Sequence, residues 1–529
     1  MKLEALVAAS SDIAATRSRL DKTERLRTLL DQAAPEDVPL VVSYLSNRIP
    51  QGRIGVGYQS LSALAETPGV SEPFLELSDI HRALDLLDGV AGPGSSGRRM
   101  ELLGELFAQA TDREQQFLSR LLMGELRHGS LEGIMVEAVA RASGVDGAAV
   151  RRALMLSGDL GAVASGLRLS GPSALAGFLV ELLRPVRPML AQTADSVAGA
   201  LETLGRAAIE QKLDGARIQV HKSGNDVRVF TRRLNDVSHA CPEVVEACRA
   251  IPAESVILDG EAIALKKGGR PHPFQVTMRR FGRRLDVATM RRALPLTSFY
   301  FDCLWIDGES LIDASAEARF QRLKDVVPES LLVPRIVTDD AARAQAFVDE
   351  VLASGHEGVM AKALDAPYEA GARGKAWLKV KRAHTLDLVV LAAEWGSGRR
   401  SGWLSNLHLG AREGDTGRFV MLGKTFKGMT DEILRWQTTT LQSIEARRDE
   451  WTVFVRPELV VEVAFNDLQK SSHYPGGVSL RFARLKGYRD DKGPEDADTM
   501  ATIRALYRNQ TGESLDEGER QLSLLSGAS

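Results

Sequence analysis

Thiol chemistry has little to work with in this chain. Only three cysteines occur among 529 residues, Cys241, Cys248 and Cys303, and no two of them form a CxxC pair. That argues against a structural zinc module and a disulfide framework, and it fits a reducing compartment. Apolar runs are short as well, none approaching the ~20 residues of a membrane span. The opening MKLEALVAASSDIAATRSRL soon turns charged and periodic, so it predicts a helix and not a signal peptide, and the expected location is the cytoplasm. An excess of positive charge is also missing: Lys and Arg number 67 against 70 Asp and Glu, a formal net charge of −3. A nucleic-acid partner must then be held by local basic patches. No internal repeat or long low-complexity tract occurs.

What is present is an ordinary globular composition, 44% hydrophobic and 26% charged, in a chain too long for one core. Residues 1–184 read as helices throughout. Leu103, Leu106, Phe107 and Ala110 recur at helical spacing, and Thr111-x-x-Glu114 is a capping box opening the next helix, with Gly129 as its expected stop. Ile134, Val136, Ala138 and Val139 mark another helix ending before Gly144. Two prolines in Arg184-Pro-Val-Arg-Pro-Met-Leu190 then predict a partly stiff linker. Residues 185–385 change character: ARIQVHK, DVRVFTR, SVILDGEAIAL and TSFYFDCLWI are β-branched and often alternating, with helical stretches near 240–250 and 340–353. The expectation is an α+β domain on antiparallel sheets. Residues 386–510, with LHLGARE, RFVMLGKTF and LVVEVAFNDL, predict a small β-barrel carrying one helix near 430–447, and 511–529 a mobile polar tail.

The sharpest local signal is Lys212-Leu-Asp-Gly-Ala-Arg217, following Glu210. Lys-x-Asp-Gly alone is weak, and a surface strand with a turn explains it equally well. Its company is stronger: Leu258-Asp-Gly-Glu261, Phe299-Tyr-Phe-Asp302, Glu357-Gly-Val-Met-Ala-Lys362, Trp377-Leu-Lys-Val-Lys381, Arg481-Phe-Ala-Arg484 and Arg489-Asp-Asp-Lys492, in that order. This ordered set closely resembles the nucleotidyltransferase superfamily of ATP-dependent DNA ligases, RNA ligases and capping enzymes. With its helical module and terminal barrel, the chain resembles the three-domain DNA ligases over roughly residues 1–510. The fold so implied is a helical DNA-binding domain, an adenylation domain and an oligonucleotide-binding (OB) barrel.

That resemblance implies the chemistry. Lys212 is the expected nucleophile, forming a phosphoamidate with AMP from ATP. A lysine amine attacks only when neutral, and about 0.04% of an ordinary lysine is neutral at pH 7. Lys379, Lys381 and a bound cation are the groups expected to raise that fraction and to neutralise the phosphates. Glu261 and Glu357 are hard oxygen donors suited to Mg²⁺. By resemblance Phe301 stacks on the adenine, Glu210 lies near it, and Arg217, Arg232 and Arg373 approach the nucleotide. Phe299 is assigned to core packing, and Asp214 either positions Lys212 or helps a metal. Arg481 and Arg484 belong to the barrel, which in this family closes over ATP about a hinge placed here near 383–388 and then swings away. The chain departs from the family at Thr231-Arg-Arg233, at Ala483 and at His384, which bears on fine positioning.

Nicked duplex DNA is the expected substrate, bound by a monomer during replication, repair and recombination, near the nucleoid and in company with replication or repair proteins. Lys266 through Arg292 holds nine Lys and Arg against Asp286 alone, a run suited to phosphate contacts or simply a solvated surface. The glycine-bounded stretches 52–57 and 126–129 are loops where backbone can approach phosphates, or ordinary helix connections. NAD-dependent ligases carry a four-cysteine zinc finger, which three scattered cysteines cannot build. An RNA ligase or capping-type activity shares the pocket without the helical module, and a catalytically silent DNA clamp is the reading from another class.

Overall fold

Helix follows helix through the first third of the chain, since apolar residues recur there every three or four positions. A computed structural model describes the whole chain apart from residues 53, 66, 127, 129–131, 273, 282–285, 371–373, 382–383, 415–416, 512–514 and 516–529. Ten α-helices run from Leu3–Ala15 to Leu160–Ser170 among the described residues. Their apolar faces meet in one continuous core. Helix Ser95–Ala108 buries Leu103, Leu106 and Phe107, and helix Glu132–Ser143 buries Ile134, Val136, Ala138 and Val139. The Thr111 capping box forms: its hydroxyl accepts from the Glu114 N–H, and the Glu114 carboxylate accepts from the Thr111 N–H at 2.9 Å. That helix ends at Leu122, and Gly129, the expected stop, lies outside the described residues.

The middle domain is built on two five-stranded sheets. In the first, strand Gly358–Ala363 lies between Ala207–Lys212 and Trp377–Lys381, antiparallel to both, with Arg335–Thr338 and Gln192–Thr193 at the edges. Only the Gln192–Thr193 pairing is parallel. Alternate side chains of a strand face opposite ways. On one face Ile209, Val359, Ala361, Leu378 and Val380 pack with residues of helices Val197–Leu204 and Ala341–Ala353. The polar residues between them are therefore driven to the other face, in rows set by register: Lys212, Gly358 and Lys381, then Glu210, Met360 and Lys379, then Ala208, Lys362 and Trp377. Gly358 is required in its row. Its φ is +142°, and a Cβ there would sit 2.2 Å from the Val380 carbonyl oxygen.

The second sheet runs Asp226–Thr231, Ala216–Ser223, Ser255–Ala264, Leu296–Ile306 and Glu309–Ser310, all antiparallel. Ile218, Val220, Val229 and Leu258 form its core with Tyr300. Phe299, expected in that core, is only half-buried, and Tyr300 is the fully buried ring. A register shift where this strand meets Ser255–Ala264, between Asp259 and Gly260, is a detail that pure alternation does not supply.

The predicted linker is a packed seam. Val186 and Met189 are fully buried, with Met155 and Leu156 of helix Gly147–Ser157 on one side and Ile257, Tyr368 and Trp377 on the other. Proline cannot donate, so this extended segment takes its partners from side chains. The Val186 N–H donates to Gln219 Oε1 at 2.7 Å, and Gln219 Nε2 donates to the Val186 carbonyl at 3.1 Å. Arg152 adds a two-pronged ion pair to Asp313, both contacts 2.7 Å.

Beyond the middle domain, a seven-stranded antiparallel sheet and the hairpin of Asp467–Lys470 with Val478–Arg481 make the barrel. Helix Asp431–Ser443 occupies the expected place, and helix Met500–Thr511 adds Met500, Ile503 and Tyr507 to the barrel core. Lys266 of the middle domain donates to the Thr511 carbonyl at 2.8 Å, so the two domains touch. Of the expected tail, residues 512–514 and 516–529 lie outside the described residues.

The seam gives stability a pH dependence. His221 accepts the Leu183 N–H on Nδ1 at 3.0 Å, so this ring nitrogen is unprotonated, and burial pushes the imidazole down from 6.5 to about 3. An unfolded histidine takes up a proton below about pH 6.5 and this folded one does not, so its contribution is whole above that pH and is lost as pH falls toward 3. Chemical denaturation at pH 7.0 and 5.0 should show His221→Gln losing less stability than the parent, by about 1.4 kcal/mol per pH unit below 6.5.

Candidate active site

The polar face of the first sheet and the edge of the second enclose a cleft of about 890 Å³. Lys212 ends its strand on the cleft floor. Glu357 precedes Gly358 in the neighbouring strand, and its two oxygens take the Lys212 and Lys381 amines one each. The sequence placed the two lysines together but assigned Glu357 to a metal; the shared carboxylate was not foreseen. Burial, then the charge of Lys212, holds the Lys381 ammonium down at about 8. Lys379 lines the same wall one row further in.

Deeper still is an ion pair that the motifs do not announce. Glu210, 2% exposed, lies 2.6 Å from the Lys362 amine, which sits 4.5 Å from the Phe301 ring centre and 4.3 Å from that of Trp377. Phe301 meets Trp377 edge to face, with ring centres 6.0 Å apart. Aromatic faces, Met360 and a buried carboxylate together make an end of the cleft suited to a flat heterocycle with a donor on its edge.

Arg217 lines the cleft from the second sheet, and its guanidinium is extensively engaged. It donates to both Asp259 oxygens at 2.6 and 3.1 Å and to the Met189 carbonyl at 2.6 Å. The Tyr368 hydroxyl donates to Asp259 at 2.6 Å and accepts from the Met189 N–H at 3.1 Å. Sequence reading passed over Asp259 and Tyr368; the first stood inside a quoted motif, Leu258-Asp-Gly-Glu261, which was the available signal. Arg232 lines the cleft as an exposed residue, and Arg373 lies outside the described residues.

From the barrel, Arg481 reaches the cleft, 3.6 Å from Asp214 and 3.8 Å from Asp467, with its guanidinium 4.8 Å from the Phe274 ring centre. Phe482 lines the cleft too, its backbone at φ +58°. Arg484 is exposed and is not among the lining residues, so the two arginines do not converge. Of the proposed hinge, residue 383 is outside the described residues; His384 stacks on Phe465, and Asp387 is clamped by Arg489 at 3.3 Å and Lys492 at 2.5 Å.

The basic run 266–292 divides. Arg280 is 2% exposed and donates to Glu243, Leu294 and Ala240, a structural use, and Arg291 pairs with Glu246. Lys267, Arg270, Arg279 and Arg292 are exposed, while Arg283 and Arg284 lie outside the described residues. Of the two glycine-bounded loops, residues 53, 127 and 129 are likewise outside them.

A divalent ion is chemically suited to this cleft. The Glu261 carboxyl is driven upward by burial against the opposing charge of Lys212, and it accepts the Gly215 N–H at 2.8 Å. A nearby cation favours the ionised form of such a group. Asp467 is likewise raised, by burial and then by Asp214. Among the described residues no three His, Cys, Asp or Glu gather as a closed metal cage, and Mg²⁺ commonly uses one or two carboxylates with phosphate oxygens and water instead. Glu261 offers one such carboxylate; Glu357 offers another only after releasing a lysine. The three cysteines are buried and pushed up to about 12 by burial, far from reactive thiols.

Comparison with known proteins agrees with this geometry. Residues 188–381 match the ATP dependent DNA ligase domain, 400–492 the ATP dependent DNA ligase C terminal region, and 56–140 the DNA ligase N terminus. A probable DNA ligase of Anaeromyxobacter sp. (strain Fw109-5) is 55% identical over 512 residues, 96% of this chain and 99% of that one. One from Sorangium cellulosum (strain So ce56) is 52% identical, with 98% of each chain covered. A solved structure described as Pmar-Lig_PreS3 superposes with a TM-score of 0.62 at 19% identity, over 92% of this chain and 99% of that one, a likeness of fold. In the described residues no helix is long and apolar enough to cross a membrane. Family models over all three domains and near-full-length relatives lead to one conclusion: this chain belongs to the ATP-dependent DNA ligases.

Proposed function

We propose that this chain seals nicks in duplex DNA by carrying AMP on Lys212. The observation that carries the reading is the Lys212 amine on the cleft floor, beside Glu357 and Lys381, with Arg481 of the barrel facing the same space. Charging begins when ATP phosphates compete with Glu357 for the two lysines. Lys212, freed and deprotonated, forms a nitrogen–phosphorus bond to the α-phosphate while the bond to the departing pyrophosphate breaks. Lys379 and Lys381 hold phosphate oxygens, and Arg481 draws on the pyrophosphate. Phe301 and Glu210 seat the adenine, and Arg217, Arg232 and Arg373 contact the nucleotide. Glu261 and Glu357 would hold Mg²⁺, which would supply charge neutralisation at the phosphates. AMP then passes to the 5′-phosphate of a nick, and the 3′-hydroxyl displaces it to form the phosphodiester.

The helical domain, the exposed part of the 266–292 run and the barrel hold the duplex chiefly by phosphate contacts, so sealing weakens steeply with salt. Arg484 faces solvent with the barrel closed, a position suited to DNA after the barrel swings. The enzyme works as a monomer in the cytoplasm at the nucleoid, with replication or repair proteins as its partners.

Incubation with ATP and Mg²⁺ followed by intact mass measurement should add one AMP to the parent and none to Lys212→Ala; a charged Lys212→Ala protein would overturn the reading. Arg481→Ala should slow self-charging at least about tenfold while sealing of pre-adenylated nicked DNA changes less. Equal losses in the two assays would refute the barrel's part in charging.

A further inference from the structure

Helix Met500–Thr511 of the barrel ends against the middle domain, and a lysine of that domain closes its end. An α-helix leaves its last carbonyls without partners inside the helix and gathers partial negative charge there. The Lys266 ammonium meets that charge, donating to the Thr511 carbonyl at 2.8 Å. The helix is fixed to its own domain by Met500, Ile503 and Tyr507, all buried in the barrel core. One residue before Thr511, the Gln510 side chain accepts the Leu468 N–H at 3.0 Å. Leu468 follows Asp467, which pairs across its hairpin with Arg481, the arginine that reaches the cleft. A short bonded path therefore runs from Lys266 through the helix end to Arg481. Lys266 stands on a firm base: its N–H donates to the Arg270 carbonyl at 2.7 Å, and its carbonyl accepts the Gly269 N–H at 3.0 Å. Its side chain alone is left to change partners. Lys266 is half-buried beneath the helix end, while Lys267 and Arg270 beside it are exposed, a surface suited to phosphates.

We propose that Lys266 is a latch with two partners: it holds the barrel shut for charging by capping helix Met500–Thr511, and passes to a phosphate of the duplex once that helix lifts away. This rests on the ligase reading above, in which Arg481 serves charging only while the barrel is closed. The direction of the exchange follows from charge. A helix end presents about half an elementary charge, whereas a DNA phosphate presents a whole one, so a phosphate that reaches the ammonium displaces the carbonyl. Duplex binding and barrel closure then compete for one side chain, and a bound duplex favours the open form. Lys266 acts on charging through the helix and Arg481 and touches no reacting atom; it is a positioning residue.

The test uses the full-length protein in two assays: AMP transfer from ATP with Mg²⁺, and binding across a salt series of a nicked duplex lacking the 3′-hydroxyl. Lys266→Met should lower the maximal charging rate about threefold or more, leaving the ATP concentration at half that rate unchanged. It should also flatten the slope of log affinity against log salt by about 0.9, the loss of one phosphate contact. Lys266→Arg, which keeps a cation and its donors, should restore both. Lys267→Met, on the exposed neighbour, should charge at the parent rate. Gln510→Ala, which frees the helix end from the hairpin of Arg481, should slow charging and leave the salt slope alone; it carries the test if Lys266→Met does not fold. Charging by Lys266→Met at the parent rate, or a loss matched by Lys267→Met, would overturn the latch. Slower charging with an unchanged salt slope would overturn the passage to DNA. A parent protein that gains no AMP would instead sink the ligase reading beneath both.

Discussion

Glu357 holds two amines at once, and the working end of the cleft is organised around that shared carboxylate. Its place follows from register: Lys212 and Lys381 face each other across Gly358, and the residue before that glycine meets both. With a larger residue in place of Gly358, the Val380 carbonyl would have to move and the three strands would part at this row. The arrangement suits an enzyme that must guard a nucleophile until substrate arrives. On the proposed reading, phosphates, which carry more charge than one carboxylate, would replace it on the lysines and leave Glu357 able to hold a divalent ion.

Behind the cleft the domains are joined by packing as much as by the chain. Met155 and Leu156 of the helical domain share a core with Tyr368 and Trp377, and Trp377 touches Phe301. Arg217 donates to the carbonyl of Met189, the residue by which the seam enters the middle domain. Described contacts between the barrel and the middle domain include Arg481 with Asp214 and Lys266 with the Thr511 carbonyl, an attachment compatible with the proposed opening and closing.

Much of this was legible in the residues. Helical periodicity and the Thr111 capping box located helices, and the switch to alternation after Leu190 located the sheets. The motifs from Lys212 to Lys381 named residues that gather around the cleft, because they sit on or beside strands whose alternate positions share a face. Of the two later motifs only Arg481 and Phe482 line it, and Arg489 and Lys492 hold Asp387 instead. What the sequence could not supply were relations set by register and packing. Glu357 bridging two lysines, Lys362 lying beneath Phe301, and Tyr368 joining Asp259 to Met189 all depend on which strands are neighbours. The Arg184–Leu190 segment looked like a tether because two prolines suggest exposure; a glutamine 33 residues past Val186 supplies the partners that let it be buried. Nine basic residues in one run suggested a single surface, yet Arg280 is spent inside the fold.

Glu357's exchange is best tested by a crystal structure of the protein charged with AMP. Lys212 Nζ should then be bonded to phosphorus, with the Glu357 carboxylate withdrawn beyond about 4 Å, the range of an ion pair, and engaged with Lys381 or a divalent ion. A Glu357 carboxylate still bound to the Lys212 nitrogen in the charged form would contradict the account.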